Sequence, residues 1–257
     1  MILKDKRIQM VSLVIILAIW QLLSYIYPPI IIPSLTEVFK IMISYITDNT
    51  FILDLSLTIF RGISAYFIAM ILGIGIGIIL YSNKVLNKIF YPYVVVFQSV
   101  PRISWILLAM MWFSLNSQIV IFIIIITILP IIILNTLEGL NNIDNELMEM
   151  AAVFKIRRKK VIKDIYLPSV VPYILAGAKV ALGITWKTVI MAELLTVQTG
   201  IGARMSYARD SLATDHILAL TVYIVLIGYL FQFILTRVSN YVGRWKKNEG
   251  NTVKKYN

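Results

Sequence analysis

The chain has 257 residues, 59% of them hydrophobic and only 14% charged, with a formal net charge of +11 and no cysteine. Soluble domains carry roughly 25% charged residues, so this composition, with several windows of about 20 residues nearly free of charge, specifies an integral membrane protein with several helical spans. The missing cysteines exclude disulfides and thiolate metal or redox chemistry, and the basic excess gathers in loops of one membrane side, which points to membrane topology rather than to nucleic acid.

In chain order, residues 1–7 form a short basic tail and residues 8–27 a first span. Its apolar run outlasts a signal-peptide core and no small-residue cleavage site follows, so it reads as a retained anchor helix. Pro28-Pro29 ends it. Ser34-Leu35-Thr36-Glu37 has the form of a capping box and starts an amphipathic helix to about residue 46, too short and polar to cross, lying at the outer interface. Residues 55–81 form the second span. Its Gly73, Gly75 and Gly77 allow close helix approach, either inside one subunit or between two.

Residues 89–113 form a third hydrophobic region, interrupted at Pro92 and again at Ser99-Val100-Pro101-Arg102. A proline and an arginine there predict a broken helix facing protein or water. After the turn Leu115-Asn116-Ser117-Gln118, residues 119–135 are the fourth span, 170–195 the fifth and 217–235 the sixth, with an outer loop at 196–215 and a basic tail from Arg237. Seventeen of the 24 Lys and Arg residues fall in the tails, the 82–88 turn and the 137–168 loop, against about four in the opposite loops. That asymmetry predicts a multi-pass cell-membrane protein with both termini and the 137–168 loop in the cytoplasm.

The longest polar gap organises the chain. It reads EMAAVFKIRRKKVIKDIYLP from Glu149 to Pro168, and its composition predicts two short helices, 148–154 and 158–165, joined by a turn and lying flat at the cytoplasmic surface. Glu149, Ala151 and Ala152, with Leu167-Pro168 at the end, resemble the EAA loop of ABC-transporter permease subunits. Met150 departs mildly from the motif's alanine, and Lys155 stands where the family has a turn glycine. A lysine at positive φ costs roughly 1 kcal/mol, so the turn is either rebuilt at negative φ or strained.

The resemblance extends over about residues 33–235. Pro33-Ser34-x-Thr36-Glu37-Val38, the Ser99 to Phe113 region, Ile174 to Trp186, and Ala192-Glu193-Leu194 with Gly200-Ile201-Gly202 are similar to the nitrate, sulfonate and taurine branch, which also includes permeases for riboflavin and thiamin pyrimidine precursors. It implies an all-α, polytopic protein with six transmembrane helices of the type I ABC importer (MetI-like) permease fold. The expected division is residues 1–54 as anchor and interfacial helix, 55–240 as permease core with the coupling loop at 137–168, and 241–257 as basic tail. It further implies two permease subunits, by default a homodimer, two copies of an ATPase subunit and an extracytoplasmic substrate-binding protein. The docking residues would be Glu149, Met150, Ala151, Ala152, Lys155, Leu167 and Pro168. The implied cargo is a small anion such as a sulfonate or nitrate, with a vitamin or vitamin precursor as the alternative.

Beside the resemblance, the residues themselves limit the chemistry. No G-x-x-x-x-G-K-[ST] loop is present, so ATP would be hydrolysed by another chain, and no H-E-x-x-H occurs. His216 is the only histidine, which argues against a histidine-based metal cluster or a Ser-His-Asp triad, and no catalytic residue or cofactor is expected. A stand-alone secondary carrier would need matched repeats with paired broken helices, and only one region is broken. The basic run from Lys155 to Lys163 suits anionic headgroups or the ATPase equally. Arg102, Lys179 and Lys187 lie in or beside spans, where a lipid-facing charge costs about 3 kcal/mol. Lys187, with Arg102 and Trp186, is the candidate lining of the translocation pathway. Glu193 ranks behind them, as a gate or a structural pair. The other tryptophans read as interfacial anchors.

Overall fold

The computed structural model describes the backbone of residues 2–253 and the side chains of residues 10–241. The side chains of residues 1–9 and 242–257, Trp245 among them, lie outside the described residues. The described chain is helical throughout: α1 (Ile2–Ile26), α2 (Leu35–Thr47), α3 (Asn49–Ser82), α4 (Lys84–Ser99), α5 (Arg102–Trp112), α6 (Ser117–Asn141), α7 (Asn145–Val153), α8 (Arg158–Val161), α9 (Leu167–Thr196), α10 (Ile201–Asp210) and α11 (Thr214–Val253). Four helices among the described residues are long and apolar enough to cross a membrane: α3, α6, the continuous run Arg158–Thr196, and α11 as far as Tyr241. The α4–α5 pair, bent by 99°, makes a fifth, and Met10–Ile26 of α1 is a shorter apolar helix, so the six predicted hydrophobic segments each have a counterpart.

The core is α6 packed between α3 and α9. Ile119, Ile123, Ile124, Ile128 and Ile132 of α6 are fully or almost fully buried, against Ala65 and Ala69 of α3 and Ala178, Ala181 and Ala192 of α9. Large β-branched residues on one helix meet alanines on the others, which lets the backbones close in. Gly73 and Gly77 do the same at Ile132 and Thr136, where an added Cβ would come within 2.7 and 2.8 Å of those side chains. These two glycines therefore pack inside the subunit, whereas Gly75 meets nothing. The matches 73 to 132 and 77 to 136 show that α3 and α6 run parallel. The chain must return between them, which is the work of the α4–α5 pair.

Four details depart from expectation. Pro92 sits inside α4 without ending it, and the break falls only at Val100-Pro101. Pro101 lacks an N–H and holds the residue before it extended (Val100 ψ 129°). The second predicted loop helix is not separate. α8 passes through a π turn, Ile162–Tyr166, directly into α9. Leu167 N–H bonds Ile162 O, and this widened turn precedes Pro168, whose ring would press on the carbonyl four residues back in a regular helix. The outer loop holds a folded element, α10, whose Ile201 and Ala203 are buried. Trp105 is a buried core residue stacked on Phe97, not an interfacial anchor. The predicted capping box is present: Ser34 Oγ accepts from Glu37 N–H and Ser34 N–H donates to Glu37 Oε2.

Candidate functional site

Two polar regions occupy opposite ends of the bundle. The loop between α6 and α9 gathers at one end. Asp144 caps α7 by accepting from Glu146 N–H, and Ala151 is buried against Leu140, Ile143, Ile165 and Val170, which seats the helix. The other side of α7 faces outward: Glu149, Met150 and Ala152 are exposed, and Val153 and Phe154 are 76% and 73% exposed. Lys155 follows at φ 49°, so the turn keeps the left-handed conformation that a glycine would adopt without strain. Its N–H bonds Ala152 O and the next N–H, of Ile156, bonds Ala151 O, which reverses the chain toward α8. Arg157, Arg158, Lys159, Lys160 and Lys163 are exposed around this tip, and Leu167 is half exposed beside partly buried Pro168. The result is an apolar knob of small area in a cationic surround, on a turn held by backbone hydrogen bonds.

At the other end, the starts of α3 and α6, the end of α9 and α10 enclose a buried ion pair. Arg61 is 2% and Glu193 0% exposed, and Arg61 Nη1 donates to Glu193 Oε1 at 2.6 Å. Nη1 also donates to Thr199 O, Nη2 to Thr199 Oγ1 and Ser117 Oγ, and Nε to Ser117 Oγ, so all five guanidinium N–H groups have acceptors. The second carboxylate oxygen of Glu193 accepts from Thr58 Oγ1 and Gly202 N–H. Gly200 completes the corner at φ 107°, where a Cβ would fall 2.4 Å from Glu193 Oε1. Both reasons require glycine.

A more exposed layer covers this pair. Arg204 of α10 donates to Asp54, Asp48 and Thr50. Asp54 also accepts from Gly200 N–H. The Thr50 hydroxyl holds the Asp48 carboxyl below the usual carboxylate range. The Tyr45 hydroxyl and His216 Nδ1 share a hydrogen bond of 2.7 Å nearby.

The remaining candidates lie along α9 between these ends. Val180, Gly183, Ile184, Lys187, Ile190 and Met191 share one face, at spacings of three, four and seven residues. Lys187 is exposed there. Arg102, half buried, opens instead on a second cavity at the α4–α5 break, beside Trp105, Thr127 and Ile131, and Ile184 borders both. Trp186 points inward, stacked on Phe231. The candidates are therefore in three places: Glu193 in the clamp, Lys187 on the open α9 face, and Arg102 at the break. Arg61, Thr58, Ser117, Thr199 and Arg204 are absent from the sequence-based candidates. A lone arginine within the second span is itself a signal, since it must find a partner away from lipid.

Residues 65–247 match the family model described as binding-protein-dependent transport system inner membrane component. The nitrate import permease protein NrtB of Synechococcus elongatus is 33% identical over 202 residues, 75% of this chain and 72% of the relative. The taurine transport system permease protein TauC of Escherichia coli K12 is 24% identical over 241 residues, 91% of this chain and 88% of the relative. Among solved structures, a chain from the bacterial alginate ABC transporter, in complex with alginate pentasaccharide-bound periplasmic protein, superposes with a TM-score of 0.64 at 16% identity, covering 93% of this chain and 97% of that one. At that identity the likeness shows the fold.

Proposed function

This chain belongs to the family of binding-protein-dependent transport system inner membrane components and is a permease subunit of an ABC importer; from that premise we propose how it works. The 137–168 loop is the cytoplasmic coupling loop, and the observation that carries this is the exposed apolar tip at Val153 and Phe154 on a backbone-bonded turn. An exposed apolar knob with a charged rim has the make-up of an interface anchor. Glu149, Met150, Ala152 and Lys155 meet the ATPase subunit, Ala151 seats the helix, and Leu167 and Pro168 mark where the loop enters α9. The unbroken path through the π turn gives the loop a stiff lever on α9, so a displacement at the tip reaches the α9 face directly.

Both termini then lie in the cytoplasm by the distribution of basic residues. Two copies of the chain, each docked to one ATPase, form the pathway. ATP binding draws the two loops together and turns the pathway outward to receive cargo from an external binding protein. The α9 face with Lys187, and Arg102 at the α4–α5 break, line the pathway and favour a small anion. The names of the nitrate and taurine relatives support that class. Glu193 does not meet the cargo; it fixes the outer end through Arg61.

The test is co-purification in detergent with the ATPase encoded nearest to this chain, comparing wild type with Glu149→Arg. The complex forms with wild type and is weakened at least tenfold by the charge reversal. A chain that stays alone and moves solute into liposomes without ATP contradicts the reading.

A further inference from the structure

α11 is held unevenly along its length. Its first half, at the clamp end, is tied down. Ala219 and Leu220 are fully buried among Val38, Phe51 and Ile201, the Tyr223 hydroxyl donates to Met42 O at 2.6 Å, and His216 shares its hydrogen bond with Tyr45. From Gly228 to Tyr241 the helix runs toward the loop end with no buried residue. Among the described residues, side chains of this half make no hydrogen bond to another helix, and that of Thr236 returns to Gln232 O. In its apolar 18-residue stretch 11% of residues are buried, against 56% in α6, so packing within the subunit restrains α11 far less. Gly228 stands at the boundary of the two halves, and a glycine inside a helix is a weak point against bending.

Trp186 of α9 meets α11 at this boundary. The benzene edge of its indole lies against Gly62 of α3, where an added Cβ would stand 3.5 Å from Cζ3, and the pyrrole edge lies against Gly228, 3.8 Å from Cδ1. Phe231 stacks on the ring with centroids 4.9 Å apart. The ring is thus fixed between two helices, yet its N–H is buried and has no acceptor. The side-chain oxygen of Gln232 is likewise buried and has no donor. Both residues border the α9–α11 cleft, and Gln232 leaves α11 on the same face as Gly228, one turn or about 6 Å nearer the loop end. A donor and an acceptor each shut away from water carry an unmet desolvation cost, and bringing them together relieves both. Gly183, three residues before Trp186, has nothing within 4 Å of where its Cβ would stand, which leaves α11 room to approach.

We propose that Gly228 is a hinge and the Trp186–Gln232 pair a latch: the loop-end half of α11 swings onto α9, and the indole N–H then donates to Gln232 Oε1. The latch rests on the permease reading and adds to it the element that closes the pathway at its cytoplasmic end. When ATP binding draws the coupling loops together, α9 follows, because it is continuous with the loop through the π turn. The latch holds the closed form, and the structure described above is the unlatched one. Trp186 and Gln232 act by positioning α11 and do not meet the cargo.

The chain has no native cysteine, so pairs of spin labels can be placed on introduced ones. Val180→Cys with Phe233→Cys spans the loop-end halves of α9 and α11, and Leu195→Cys with Val225→Cys spans the clamp-end halves; all four positions are exposed. Dipolar distances are measured on the full chain with its ATPase in nanodiscs, without nucleotide and with ATP and vanadate. The loop-end pair should shorten by about 5 Å, close to one helical turn, while the clamp-end pair stays where it was. Gln232→Met and Trp186→Phe should each remove most of that shift, and the double variant should remove no more than either alone. A shift that survives Gln232→Met, or a clamp-end pair that moves as far as the loop-end pair, overturns the proposal. So does an unmoved loop-end pair in a complex that hydrolyses ATP. The chain alone should show the short distance as a minor population that Gln232→Met removes. Failure to assemble with the ATPase would therefore sink the permease reading, while that minor population still decides the latch.

Discussion

The two ends of the bundle treat charge in opposite ways. At the clamp, Arg61 and Glu193 are withdrawn from solvent and every guanidinium N–H has an acceptor. At the loop, six cations from Lys155 to Lys163 are exposed and none has a carboxylate partner among the described residues. The loop also keeps a lysine in a left-handed conformation and leaves Phe154 in solvent. A buried pair with complete hydrogen bonding fixes one arrangement of helices, because removing either partner strands a charge. Strain and exposed apolar surface bring the loop no stability of its own. One end holds the fold, and the other is the end proposed above to meet the ATPase and transmit motion.

The largest effect that would break this comparison is at the clamp. Arg61→Met leaves Glu193 as an unpaired buried charge, and the expected loss is about 3–5 kcal/mol, read as a fall in the thermal unfolding midpoint in detergent. Adding Glu193→Gln should recover at least half of that loss, because the stranded charge is gone. A single variant as stable as wild type would mean that the clamp does not hold the fold. A smaller effect of opposite sign belongs to the loop. Lys155→Gly removes the left-handed strain and should stabilise the turn by about 1 kcal/mol, seen as slower amide exchange in residues 145–163. Faster exchange there would show that the lysine side chain, not the backbone, orders the turn.

How much of this was legible in the sequence follows from the range of each interaction. The capping box at Ser34 and the break at Pro101 are local, and both are where the sequence places them. Gly73 and Gly77 announce a close approach, though the sequence leaves open whether the neighbour belongs to the same subunit; Ile132 and Thr136 settle that. The loop is legible as a loop through its charge and its final Leu167-Pro168, but composition suggests that the helix stops there. The π turn lets it continue, and widening of one turn has no periodicity to betray it. The Arg61–Glu193 pair joins residues 132 positions apart on two antiparallel helices that carry no shared sequence pattern. α10 is short, polar in part, and held by buried Ala203 and by Ile201, which packs with Val38, Phe51 and Leu220 from distant parts of the chain.

On the proposed reading, the loop end is built for a partner and the clamp end is not. Amide hydrogen exchange on the wild-type chain, with and without its ATPase subunit, separates the two ends. New protection is expected only in residues 145–163, strongest at Val153 to Ile156, with the Asp54, Arg61 and Gly200 region unchanged. Protection that appears around α10 and the clamp while the loop exchanges as before would contradict it.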